Sequence, residues 1–194
     1  MKRPTISHIR LGWLQRFCAV AHHRDFGLAA LECNVDPTSL SDSVQRLEDA
    51  LCKPLIAPAT TYITVSGRKF TSIAREVLEL STFSSKPCLN VCIGWFKYLI
   101  QVSNSESYSD AGKELQVGRY KIMRGISGLQ DWIGEPLTYF DNRIMMTNKG
   151  QEVSQFAKEK IELLEKFRGD AEVWYRGRMI KRKIPLLIKH YKLK

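Results

Sequence analysis

The chain has 194 residues, 44% of them hydrophobic and 26% charged, which fits a globular protein of one ordinary domain or two small ones. No apolar run approaches the roughly 18 residues of a membrane span, and the opening MKRPTISHIRLGW has no apolar stretch ahead of a small-residue cleavage site, so a cytoplasmic protein without a membrane partner is expected. The net charge of +10 is concentrated at one end: residues 175–194 hold 8 Lys+Arg and no acid, whereas residues 1–85 hold 10 against 8 and residues 86–174 hold 12 against 12.

In chain order, Leu11, Leu14, Phe17, Cys18 and Ala21 recur at the spacing of one helical face. Phe26, Ala29, Ala30 and Cys33 predict a short second helix. Asp36 then stands where a helix cap is needed, with Pro37 in the first turn, where its missing amide hydrogen is harmless. The third helix directs Leu40, Val44, Leu47 and Leu51 inward and Thr38, Ser39, Asp42, Ser43 and Arg46 outward. After Pro54-Leu55, the β-prone residues 61–65, ending at Ser66-Gly67, predict a small hairpin. Phe70, Ala74, Val77 and Leu78 mark another short helix, and the polar residues 81–87 read as the start of a connector.

The pattern then repeats 82 residues later. Between residues 11–55 and 93–137, 10 of 45 positions are identical, including Gly12/Gly94, Trp13/Trp95, Leu47/Leu129 and Pro54/Pro136, and apolar exchanges fill much of the rest. Two copies of one small domain account for this. The second third-helix differs in its polar face, which carries Arg119, Tyr120, Lys121 and Arg124. Gly125 and Gly128 within it predict either close approach to DNA or another helix, or a shortened, irregular helix. Residues 137–150 predict a second hairpin turning at Asp141-Asn142, with Arg143 beside the turn. Val153, Ala157, Ile161, Leu164, Phe167, Ala171 and Trp174 form a stripe that needs a partner: its own domain, or a second chain in a homodimer made through helix 150–174.

Two short helices, the second with a polar face on its first turns, followed by a hairpin, form the winged helix-turn-helix arrangement. Leu14, Phe17, Val20, Ala21, Phe26, Ala29, Ala30, Val35, Leu40, Ser41, Val44, Leu47, Glu48, Leu51, Pro54, Leu55, Thr64 and Gly67 resemble the N-terminal winged helix-turn-helix of LysR-type transcriptional regulators. The second copy resembles it more weakly, with Met123 and Gln130 where the family has serine and glutamate, and one extra residue before Thr147 and Gly150. The resemblance implies a bacterial or mobile-element DNA-binding regulator. A LysR-type regulator continues into an effector domain, and here a second copy stands in that place, so metabolite sensing is not implied.

The expected fold is mainly α with small β-hairpin wings: two tandem winged helix-turn-helix domains, each followed by a linker or dimerisation helix. Residues 1–80 form the first domain, 81–92 the connector, 93–174 the second domain with its long helix, and 175–194 a basic tail. The expected function is sequence-specific binding of double-stranded DNA through Thr38, Ser39, Asp42, Ser43, Arg46, Arg119, Tyr120, Lys121, Arg124 and Arg143, with Arg176, Arg178, Lys181, Arg182 and Lys183 of the tail on phosphates. RNA polymerase or another regulator is the expected protein partner. The alternatives are an architectural or assembly DNA-binding protein and a winged-helix protein adaptor. No Gly-rich phosphate loop, metal motif or paired metal-site cysteines are present, and neither enzymatic activity nor a cofactor is expected; the five cysteines read as reduced thiols.

Overall fold

The computed structural model describes residues 5–58 and 60–169. After a 3-10 turn at Ile6–His8 come α1 (Leu11–His23), α2 (Phe26–Glu32), α3 (Pro37–Leu51) and α4 (Val65–Leu78), with a second 3-10 turn at Glu79–Phe83. The order then recurs as α5 (Ile93–Ser103), α6 (Tyr108–Leu115), α7 (Arg119–Ile133), a hairpin of β1 (Thr138–Asp141) and β2 (Arg143–Met146), and α8 (Asn148–Arg168). Among these described residues no helix is long and apolar enough to cross a membrane.

Local chemistry recurs with the elements. Asp25 and Ser107 cap α2 and α6, each accepting a backbone amide. Asn34 and Gln116 take left-handed backbone (φ 51° and 54°) where the chain turns towards α3 and α7, and Cys52 and Gly134 (φ 56° and 90°) end those helices. Asp36 caps α3 by accepting from the Ser39 amide at 2.8 Å, and its hydrogen bonds to the Ser39 hydroxyl and amide hold its carboxyl below the usual carboxylate range. Gly118, which precedes α7, offers no side chain for this purpose.

Behind each third helix one side-chain oxygen anchors the next loop. Glu48 Oε1 accepts the Leu55 and Ile56 amides at 2.7 and 3.0 Å, and Gln130 Oε1 accepts those of Leu137 and Thr138 at 3.0 and 3.2 Å. The oxygen is common to glutamate and glutamine, so the exchange at position 130 preserves the anchor. Glu48→Ala, which leaves two buried amides unpaired, is expected to lower stability by about 2–4 kcal/mol, and Glu48→Gln by less than about 1 kcal/mol. Urea unfolding of both variants measures this, and equal stabilities would refute the anchor.

The two hairpin expectations have different outcomes. Residues 138–146 form an antiparallel ladder closed at Asn142, whose φ of 56° suits the short polar side chain. Among the described residues of 56–63 there is one bridge, Ile56 to Ile63, with a further bond from the Ala57 amide to the Tyr62 carbonyl at 2.8 Å. Pro58 has no amide to give a ladder, the Thr60 hydroxyl bonds back to Ala57, and Thr64 caps α4, so Val65 is helical rather than the end of a strand.

Both halves contribute to one hydrophobic core, which contains Phe17, Leu47 and Phe70 together with Phe96, Leu129 and Ile161. The Leu11 amide donates to the Val91 carbonyl and the Ile93 amide to the Ile9 carbonyl, each at 2.9 Å. Positions 9 and 11 correspond to 91 and 93, so each half gives the bond it receives, as across a two-fold interface. The same reciprocity governs close approach: a Cβ on Gly12 would lie 2.7 Å from the Leu89 carbonyl oxygen, and one on Gly94 2.8 Å from that of Ser7.

Residues 81–87 are tied to the fold at Phe83, Ser84 and Lys86, although Thr82 and residues 85–87 are exposed. Phe83 meets Phe156 edge-on, the Ser84 hydroxyl donates to the Trp132 carbonyl at 2.5 Å, and the Trp132 indole donates to the Lys86 carbonyl at 3.1 Å. The α8 stripe is likewise covered within the chain: Val153, Ala157, Ile161 and Leu164 are buried, and the Phe167 ring lies 4.9 Å from that of Phe70. Ala171 and Trp174 lie outside the described residues.

Candidate nucleic-acid interface

The outward face of α3 is mild. Thr38, Asp42 and Arg46 are exposed, and Ser39 is half-buried with its hydroxyl bonded to Asp36 at 2.5 Å. Ser43 departs from the expectation: it is 3% exposed, donates to the Ser39 carbonyl at 2.8 Å and accepts from Arg16 of α1 at 2.5 Å. A polar partner on α1, invisible in the spacing of α3, draws this serine inward. Ser41 takes the exposed place on that face instead, three residues after Thr38.

On α7 the first turns carry three cations and a tyrosine instead. Arg119, Tyr120, Lys121 and Arg124 are all exposed, and they stand where α3 has Pro37, Thr38, Ser39 and Asp42. The Arg119 guanidinium lies 4.7 Å from the centre of the Tyr120 ring and donates to its hydroxyl at 3.0 Å; this contact shifts the phenol below its ordinary pKa. Arg143 is exposed at the hairpin turn, beside an exposed Phe140 that an alternating strand pattern gave no reason to single out. Tail residues Arg176, Arg178, Lys181, Arg182 and Lys183 lie outside the described residues.

The glycines of α7 make room for another helix. Cβ atoms at Gly125 and Gly128 would lie 2.6 Å from Tyr98 Cδ2 and 3.0 Å from Trp95 Cη2, both side chains of α5. Gly125 corresponds to Ser43 and Tyr98 to Arg16, so a polar contact in the first half is replaced by an aromatic ring against bare backbone in the second. The helix stays regular over 15 residues because packing on α5 offsets the roughly 1 kcal/mol that each interior glycine costs.

The five cysteines are unpaired. Burial pushes the Cys18 thiol up to about 11, so it carries little of the thiolate needed for reactivity. His23 is held by Glu32 at 2.5 Å, and no cluster of metal-ligating side chains occurs among the described residues.

Two curated proteins show where the sequence has relatives. The chain is 35% identical over 77 residues to the RuBisCO operon transcriptional regulator of Acidithiobacillus ferrooxidans, covering 39% of this chain and 25% of that protein. It is 32% identical over 75 residues to the uncharacterized HTH-type transcriptional regulator YnfL of Escherichia coli (strain K12), covering 38% of this chain and 25% of that one. The chain thus spans a quarter of the length of these relatives. No solved structure matches it. The stretch running from the start of α1 into α4, residues 11–68, matches the bacterial regulatory helix-turn-helix protein, lysR family, and is a helix-turn-helix domain of that type.

Proposed function

We propose that this protein is a double-stranded DNA-binding transcription regulator in which residues 93–168 form a second, diverged winged helix-turn-helix, so that one chain presents two DNA-facing modules. The observation that carries this reading is the exposed cationic face on the first turns of α7, which takes the place in the second half that α3 takes in the lysR-type stretch of the first. Both relatives are named as transcriptional regulators. The recurrence of caps, left-handed turns and loop anchors supports the second module, and the reciprocal Leu11–Val91 and Ile93–Ile9 bonds support a pseudo-dimeric arrangement.

Under this reading α7 and Arg143 engage base edges and phosphates, while Thr38, Ser41, Asp42 and Arg46 make a weaker set of contacts from α3. The basic tail adds sequence-independent attraction to phosphates. Because the α8 stripe is covered as far as Phe167 by the chain's own helices, a single chain is the DNA-binding unit and a homodimer through helix 150–174 is the second form. Leu28 and Leu31 are exposed on α2 of the first module, which favours that helix as the contact for RNA polymerase or another regulator.

Selection of bound fragments from random double-stranded DNA, combined with footprinting and solution stoichiometry, tests the proposal. One asymmetric motif of about 20 base pairs occupied by one chain is expected, since two modules on one DNA face read half-sites about one helical turn apart. Failure to enrich any motif would replace the regulator reading with the architectural one. A symmetric motif occupied by two chains would replace the pseudo-dimer with the homodimer.

A further inference from the structure

A cleft of about 880 Å³ runs between the two halves, bordered by α1, the C-terminal half of α3, α5 and the start of α7. Its walls combine cations, among them Arg10, Arg46, Lys97 and Lys121, with the aromatic side chains of Trp13 and Trp95. Of these four, two are already engaged: Lys97 with the cleft's carboxylate, Glu165, at 2.6 Å, and Arg10 with Asn90 at 3.0 Å and over the Trp13 ring at 5.9 Å. The Arg46 guanidinium and the Lys121 ammonium make no hydrogen bond or ion pair with any described side chain or carbonyl, although they border the same cavity from different halves of the chain.

The seam between the halves does not produce such a cleft by symmetry alone. The matching hollow on the other side, about 430 Å³, has Gln15 and Arg16 where the cleft has Lys97 and Tyr98, and its walls carry one cation and one carboxylate. Positive charge with no partner among the described residues, beside indole rings, suits a ligand that is anionic at one end and planar at the other. The volume lies within the range of small-molecule sites.

We propose that this inter-half cleft is a nucleotide-binding site, with Arg46 and Lys121 holding the phosphate and the Trp13–Trp95 wall receiving the base. Binding itself is independent of the DNA-binding reading. Its consequence rests on that reading: a nucleotide in the cleft occupies Arg46 and Lys121, which both belong to the proposed DNA-facing helices, and so competes with DNA for them.

The test uses the full chain without DNA, titrated by calorimetry and by tryptophan fluorescence with adenosine 5′-monophosphate, ribose 5-phosphate and adenosine. The monophosphate is expected to bind at least about tenfold more tightly than either fragment, because only it engages both walls. Arg46→Ala and Lys121→Ala are each expected to weaken the monophosphate about tenfold while leaving adenosine unchanged. Both side chains are exposed, and unchanged thermal unfolding of the variants confirms that they fold.

Equal affinities for the monophosphate and ribose 5-phosphate, or variants that bind the monophosphate like the parent, would overturn the site. Binding of a single-stranded oligonucleotide that the monophosphate fails to displace would assign the cleft to a nucleic-acid strand instead. With the site upheld, a monophosphate that does not compete with a bound operator fragment would remove Arg46 and Lys121 from the DNA contacts and leave the nucleotide site standing.

Discussion

Gly67→Ala is expected to destabilise the protein by about 3 kcal/mol or more, although alanine is ordinarily the better helix residue by roughly 1 kcal/mol. The added Cβ would lie 2.1 Å from the Leu55 carbonyl oxygen and 2.7 Å from Ile63 Cγ2. That carbonyl accepts the Thr64 amide at 2.9 Å, and the Thr64 hydroxyl in turn caps α4 by accepting the Gly67 amide at 2.9 Å. Backbone is therefore pressed against backbone, and relief requires opening the junction between loop and helix. Gly150 repeats the geometry, with Leu137 O at 2.1 Å, and should respond alike. Gly27 is the control: its Cβ would meet only Asp25 Oδ1 at 3.1 Å, and Gly27→Ala should change stability by no more than about 1 kcal/mol. Urea unfolding of the three variants decides the matter, and a Gly67→Ala protein as stable as the Gly27→Ala one would refute the close approach.

Replacing Arg119, Lys121 and Arg124 together by alanine is expected to reduce affinity for the selected DNA by roughly 100- to 1000-fold. The magnitude of the salt slope should fall by about 2–3, since each phosphate-neutralising cation contributes about 0.9 and each base contact adds discrimination of about 1–3 kcal/mol. The three side chains are exposed and carry none of the core, so the folded state should persist. Replacing Thr38, Ser41 and Asp42 by alanine removes no cation and should leave the salt slope almost unchanged. Equal effects of the two triple variants on binding, measured by titration over a range of salt, would remove α7 from its place as the stronger contact.

Much of the fold was legible in the sequence because the two halves comment on each other. Leu40, Val44, Leu47 and Leu51 and their counterparts fix the buried face of the third helix twice, and Asp36-Pro37 marks its start. The hairpin at 138–146 was legible from Asp141-Asn142, a local turn signal. What escaped depended on partners distant in sequence. Ser43 reads as exposed by helical period but is satisfied by Arg16, 27 residues earlier. Residues 81–87 read as the start of a connector, and that reading held no sign of the bonds that tie Ser84 and Lys86 to the far end of α7. The composition of residues 61–65 favoured strand, but Pro58 and the Thr64 cap outweighed it. At the candidate interface the residue types of α7 were readable, while the convergence of Arg46 and Lys121 on one cleft was not, because it arises only when the halves close on each other.

The reciprocal bonds near Leu11 and Ile93 have a consequence for how such a protein responds to its own abundance. Two separate subunits joined by the same contacts would part on dilution, and any substitution in one would appear in both. Here the partner is covalently attached, so its effective concentration is fixed by the chain and does not fall when expression is low. Each half is also free to change alone: α3 can carry Asp42 while α7 carries Arg124 at the matching place. On the proposed two-module reading, such a tethered pair reads an asymmetric site at concentrations where a dissociating dimer would be lost as monomers.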